Sequence, residues 1–204
     1  MRTAFLRILA SQLGRPRGLF GKLVARKLNK HNLPLINAAV DKLAPGPDDV
    51  VADLGFGGGV GLALLLARAR EVHGVDYSEP MVTRAALKFG LDDRLRLHVG
   101  SMTALPLPDA ELDGLITLNT IYFIEDLGTA FTEIARVLRP GGRGVIGIAD
   151  PAAMAEMPVV AHGFRVRPID DVVAALAGAG LAVVDHSRVG DGDRAFHLLS
   201  VEHA

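Results

Sequence analysis

Residues 50 to 59 read VVADLGFGGG, an apolar run that meets an acid and then three spaced glycines. Val50, Val51 and Leu54 read as a short buried strand with Asp53 one residue before its end. Gly55, Gly57 and Gly59 let the backbone turn sharply, admit a ligand close to the main chain and feed a helix whose unpaired N–H groups face that ligand. Spacing narrows the choice of ligand. A nicotinamide fingerprint starting at Gly55 needs glycine or alanine at position 60, and one starting at Gly57 needs it at position 62. Those positions hold Val60 and Leu62, so the nicotinamide reading loses ground.

Outward from the cradle, strands and helices alternate. Upstream, a helix from about Asn32 to Leu43 is closed by APGPDD at 44–49, whose prolines and acids stop a helix and start a strand. Downstream, Val60 to Ala69 is helical and EVHGVD at 71–76 is the second strand. Ser78 stands as an N-cap with Pro80 just inside, opening a helix to about Phe89. RLRLHV at 94–99 and GLITL at 114–118 are strands three and four, and a helix from about Leu127 to Val137 ends at RPGG before strand five at 143–149. A helix near Ile169 to Ala179, closed by Gly180, precedes strands near 181–188 and 195–201 joined by the turn GDGD. The predicted fold is α/β: a Rossmann-like doubly wound seven-stranded sheet, mostly parallel, with an antiparallel last strand set by the closing hairpin.

The form D-x-G-x-G-x-G at Asp53 to Gly59 resembles the first motif of the class I S-adenosylmethionine-dependent methyltransferases, of the broad small-molecule kind called type 11. The resemblance covers positions 35 to 202 and is strongest in the first half. It implies S-adenosylmethionine as cofactor, with Asp53, Gly55, Phe56, Gly57 and Gly59 forming the cradle. Asp76 ends the second strand 21 residues after Gly55, where such a site places an acid to accept hydrogen bonds from both ribose hydroxyls. Tyr77 would then wall the adenine or ribose, and Met81 would touch the ligand from the next helix, with core packing as its alternative. In VGSMTALPLPDAELDGL at 99–115 the family often carries an Asp for the adenine amino group, and here Ser101 stands in that place. A hydroxyl also accepts such a bond, and Met102 would offer a backbone N–H and an apolar face. LNTIYFIED at 118–126 puts Asn119 near the methionine portion and Thr120 to Phe123 at the acceptor mouth. Asn-Thr-Ile-Tyr is not the Asn/Asp-Pro-Pro-aromatic motif of enzymes that methylate a base amine, which disfavours adenine-N6 methylation of nucleic acid. FTEIARVLRPGGRG at 131–144 is also family-like, in a structural role.

The implied reaction is in-line displacement of a sulfonium methyl group by an acceptor held about 3 Å away, with a proton removed when the acceptor is a hydroxyl or ammonium. No motif marks the base. His31, His162, Tyr122 and Asp150 are candidates by their place beside expected pocket segments, whereas His73, His98, His186 and His197 fall inside strands.

Composition bounds the reading. At 204 residues, half of them hydrophobic, the chain suits one domain with a full core. With no cysteine there is no disulfide framework, thiolate metal site or cysteine nucleophile, and the seven histidines stand singly, so no metal is expected. No stretch approaches the ~20 apolar residues of a membrane span and no signal-peptide core opens the chain, so a cytoplasmic protein is expected. Residues 1 to 40 carry eight bases and no acid, leaving 14 bases against 23 acids in the rest. We divide the chain into a basic N-terminal helical lid, 1–31, and a methyltransferase domain, 32–204. The basic run is read either as lining the entry for an anionic acceptor or as a solvated face, with RNA, membrane-surface or targeting roles as further readings. The expected partner is a small-molecule acceptor, for a monomer or homodimer. An RNA or protein methyltransferase using the basic arm, and a cofactor-binding protein without turnover, are the rivals.

Overall fold

A computed structural model describes residues 32–90, 92–157, 160, 163–190 and 195–203; the lid at 1–31, with His31, and also His162 lie outside these residues. A helix over residues 32–43 (α1) leads into β1 (Val50–Leu54), α2 (Val60–Leu66), β2 (Glu71–Asp76), α3 (Glu79–Phe89), β3 (Leu95–Val99) and β4 (Leu112–Leu118). A single 3-10 turn (Ile121–Phe123), α4 (Leu127–Val137), β5 (Leu138–Ala149), α5 (Pro151–Ala155), α6 (Ile169–Gly178), β6 (Leu181–Val189) and β7 (Phe196–His203) follow.

The seven strands lie in one sheet in the order β3-β2-β1-β4-β5-β7-β6. The first five pair in parallel, and β7 runs antiparallel to both β5 and β6. The doubly wound sheet with an antiparallel last strand is thus the one read from the sequence. β1 is buried along its whole length, as a central parallel strand covered on both faces must be. Val51 and Val72 pack with Leu35, Val40, Leu62, Leu65 and Met81 of α1 to α3. Ala52 and Leu54 share the opposite core with Phe131 and Ile134 of α4 and Val172 and Leu176 of α6.

Three local expectations change, and one short helix appears where none was expected. α2 stops at Leu66 rather than Ala69, because Arg70 N–H and Glu71 N–H both donate to Asp49 O (3.0 and 3.3 Å) and draw the chain back to the foot of β1. RPGG does not precede strand five but bulges within it: Leu138 already pairs Leu112, the ladder resumes at Arg143 opposite Gly114, and Gly141 absorbs the excursion at φ 74°. Ser78 occupies the N-cap position without a side-chain cap bond. Finally, Asp150 opens a short helix, α5, accepting from Ala152 N–H and Ala153 N–H, as aspartate before a proline does well.

Candidate functional site

The order reverses between β1 and β4, so the connections leaving their C-terminal ends run to opposite faces and open a crevice there. Four strand ends meet along this rim through bonds that cross from one to the next. Gly100 N–H donates to Asp76 O (3.1 Å), Gly55 N–H to Val75 O (2.7 Å) and Gly57 N–H to Asp76 Oδ2 (2.8 Å), while the Thr120 hydroxyl reaches both Leu118 O (3.1 Å) and Leu54 O (3.4 Å) with its one hydrogen. The loops after β3, β2, β1 and β4 are therefore one connected edge.

Along it the glycines answer to distinct constraints. Gly55 has φ 78°, and a Cβ there would sit 2.5 Å from Thr120 Oγ1. Gly57 has φ 49°, and a Cβ would meet nothing closer than Gly55 O at 3.9 Å, so the space beside it is open to a ligand. Gly61, which the sequence reading passed over, has no room at all: its Cβ would fall on Asp53 Oδ2. Only the spacing D-x-G-x-G-x-G-x-G, one glycine further along, could have signalled it.

The two acids behave differently. Asp53 is 5% exposed, and burial pushes its carboxyl up to about 8, the charge of Asp76 adding to the rise. Asp76 is half-buried, and desolvation raises its carboxyl against the pull of two backbone donors, Ser78 N–H on Oδ1 (2.8 Å) and Gly57 N–H on Oδ2. Each oxygen keeps a further lone-pair direction, so the carboxylate can still accept two hydroxyl donors from outside. Tyr77, next to it, is 61% exposed at the rim.

The remaining candidates separate into rim and core. Phe56 (6% exposed) and Met81 (2%) have their side chains in the core with α1 to α3, and only the backbone of Phe56 belongs to the turn, its O accepting from Gly59 N–H. Met102 is buried in the other core, 3.7 Å from Thr117 Oγ1. Ser101 Oγ is engaged locally with Thr103 Oγ1 (2.8 Å) and accepts from Thr103 N–H. Asn119 sits at φ 56°, a left-handed conformation asparagine tolerates, and its N–H donates to Gly147 O (2.8 Å).

Beyond β4 the segment 163–168 folds back on the 3-10 turn. Arg165 N–H donates to Tyr122 O (2.9 Å), and the Arg167 guanidinium donates to Ile121 O (3.0 Å), Ile124 O (2.6 Å) and Glu125 O (3.0 Å). Phe164 lies against Phe123 and Tyr122 at 4.9 and 6.3 Å between ring centroids. These partners lie some 40 positions apart and carry no sequence signal. Of the two described base candidates, Tyr122 is buried and its phenol is pushed up by desolvation, while Asp150 is held below the usual carboxylate range by His197 (3.2 Å) and the backbone of α5. Among the described residues no group of three or more metal-binding side chains could hold an ion, and no helix is long and apolar enough to cross a membrane.

A family profile described as a methyltransferase domain matches residues 52–146, from β1 into β5. The chain is 31% identical over 146 residues to an uncharacterized methyltransferase, YdaC, of Bacillus subtilis, covering 71% of this chain and 80% of that protein. It is 34% identical over 137 residues to 27-O-demethylrifamycin SV methyltransferase of Amycolatopsis mediterranei, covering 63% of this chain and 48% of that one. The chain spans 26% to 58% of the length of three other curated relatives. Among solved structures it resembles the geranyl diphosphate C-methyltransferase of Streptomyces coelicolor, bound to Mg2+, geranyl diphosphate and S-adenosyl-L-homocysteine, with TM-score 0.71, 20% identity and coverage of 95% and 86%. At that identity the likeness speaks for the fold alone.

Proposed function

This chain belongs to the class I S-adenosylmethionine-dependent methyltransferases of the type 11 family, and from that premise we propose that it methylates a small-molecule acceptor. The observation that carries the reading is Asp76: a half-buried carboxylate at the end of β2, each oxygen on a backbone N–H and each with a lone pair to spare, beside an open space at Gly57. A ribose diol brings two adjacent hydroxyl donors, which such an acid can take together. When bound, S-adenosylmethionine supplies an activated methyl group and a neutral thioether leaving group.

In this reading Asp76 fixes the ribose, Gly57 lets the main chain approach the ligand, and Tyr77 covers the adenosine face. Ser101 and Met102 flank the adenine through their backbone, and Asn119 takes the amino-acid end. Phe56 and Met81 support the site from beneath rather than by side-chain contact. The acceptor stands over the 3-10 turn, where Phe123 is 40% exposed beside Phe164, with Met157, 49% exposed, on the segment after α5. Aromatic rings and a thioether suit an acceptor with an apolar body. The acid-free basic run of residues 1–40 favours a negatively charged group elsewhere on the acceptor, and we assign residues 1–31 the role of covering the site. The 34% identity to a methyltransferase named for demethylrifamycin supports a small-molecule acceptor.

Calorimetric titration with S-adenosylmethionine, S-adenosylhomocysteine and NAD tests the reading. Micromolar binding of both sulfur nucleotides is expected, weakened about tenfold or more in Asp76→Ala through the lost charged hydrogen bonds. Binding of NAD alone, or affinity unchanged in the variant, would overturn it.

A further inference from the structure

Tyr122 has one proton to give, and its surroundings decide where that proton goes. Its hydroxyl accepts the Ala149 N–H at the end of β5, and Asn119 Oδ1 lies 3.2 Å from it. An oxygen already accepting from a backbone donor offers its own hydrogen to the remaining acceptor, so Tyr122 O–H donates to Asn119 Oδ1. The ring cannot easily leave: the residue is 5% exposed, edge-on to Phe123 at 6.5 Å and tilted against Phe164 at 6.3 Å. Desolvation raises the phenol, which therefore keeps its proton and remains a donor at every physiological pH.

This settles which edge of the Asn119 amide is which. With Oδ1 committed to Tyr122, the NH2 group occupies the opposite edge, and no group among the described residues accepts from it. Asn119 stands at the end of β4, two strands from Asp76 across β1, a separation of about 10 Å at ordinary strand spacing. A nucleoside whose ribose is on Asp76 and whose amino-acid arm extends across the glycine turn brings its carboxylate to that place. We propose that Tyr122 is a positioning residue that fixes the Asn119 amide with its NH2 group toward the carboxylate of the cofactor's amino-acid end. The inference rests on the cofactor reading above and adds the ligand end that is recognised and the residue that aims the donor.

Two probes separate the ends of the ligand: S-adenosylhomocysteine has the amino-acid arm and 5′-methylthioadenosine lacks it. By calorimetry, Tyr122→Phe, which keeps the ring, should weaken S-adenosylhomocysteine about tenfold and leave 5′-methylthioadenosine within about twofold of wild type. Asn119→Asp provides the second variant, because aspartate tolerates the left-handed backbone and still accepts from Tyr122 while replacing the NH2 donor by a negative charge. It should weaken S-adenosylhomocysteine at least as much, again without affecting the truncated nucleoside. Equal loss of both probes in both variants, or no loss in either, would overturn the inference while the wild-type protein still bound S-adenosylhomocysteine. Failure of the wild-type protein to bind either probe would overturn the cofactor reading itself.

Discussion

Asp53 and Gly61 compete for one volume, and their contact shows how closely the cradle is built. Gly61→Ala drives a methyl group onto the buried carboxylate and should cost about 1 to 3 kcal/mol of stability by chemical denaturation. Gly57→Ala meets no such wall. It should cost only about 1 to 2 kcal/mol, from the left-handed backbone, while S-adenosylhomocysteine binding is lost. Asp53 also makes a pH prediction. Its carboxyl is raised from 3.8 to about 8, first by burial and then by Asp76, so the folded protein holds a proton that the unfolded chain has released. Stability from this group is present below pH 4 and falls as pH rises toward 8. Asp53→Asn should match wild type at pH 4 and exceed it increasingly toward pH 9, by up to about 6 kcal/mol for a shift of this size at about 1.4 kcal/mol per pKa unit. A difference independent of pH would show that Asp53 is ionised in the fold. At this scale the positions of Asp53, Gly55 and Asp76 at the ends of β1 and β2, and the left-handed turn at Gly55, were legible from the strand pattern and the glycine spacing. Phe56 and Met81 were not, since an apolar side chain beneath a ligand and one in a core look alike in sequence.

Elements were legible where their periodicity is their own and illegible where a distant partner decides. β2 and α4 appear at the limits read from the sequence, each set by its own apolar pattern and stop residues. The end of α2 is decided by Asp49 O, and the start of β5 by Leu112 on the neighbouring strand, so neither could be read locally. The 3-10 turn is the extreme case, since Arg167 holds it by three carbonyls of residues more than 40 positions upstream. Arg167→Ala removes those donors from a half-buried place. Native-state hydrogen exchange should then quicken in residues 121–125 by about tenfold, at a cost of about 1 to 3 kcal/mol to that local unit, while amides of β1 and β2 keep their protection. Uniform loss of protection would mean that the clamp serves the whole fold rather than the acceptor wall.

Over the whole molecule, chain order and spatial order part company at the C-terminal end. The family profile stops at residue 146, inside β5, yet β7, the last strand described, lies between β5 and β6 rather than at an edge. Its Leu198 and Leu199 are fully buried, Val201 is 1% exposed and Phe196 8%, and between them they join both cores. At about 1.5 to 3 kcal/mol for each large apolar side chain removed from water, these four contribute about 6 to 12 kcal/mol, as much as the entire net stability of an ordinary domain. On β5, Ile146 pairs with Leu199, and Val145 and Ile148 pair with Ser200 and His197; all three are at most 2% exposed and would lie on an open sheet edge without β7. A chain ended at residue 180 keeps β1 to β5, the cradle and Asp76, and so retains every cofactor residue proposed here apart from their support. It should nonetheless show no cooperative thermal transition and should bind a hydrophobic dye, whereas the full chain melts in one step without dye binding. A cooperative transition in the shortened chain, together with retained binding of S-adenosylhomocysteine, would show that the parallel half is a self-sufficient folding unit and that β6 and β7 serve only the acceptor side.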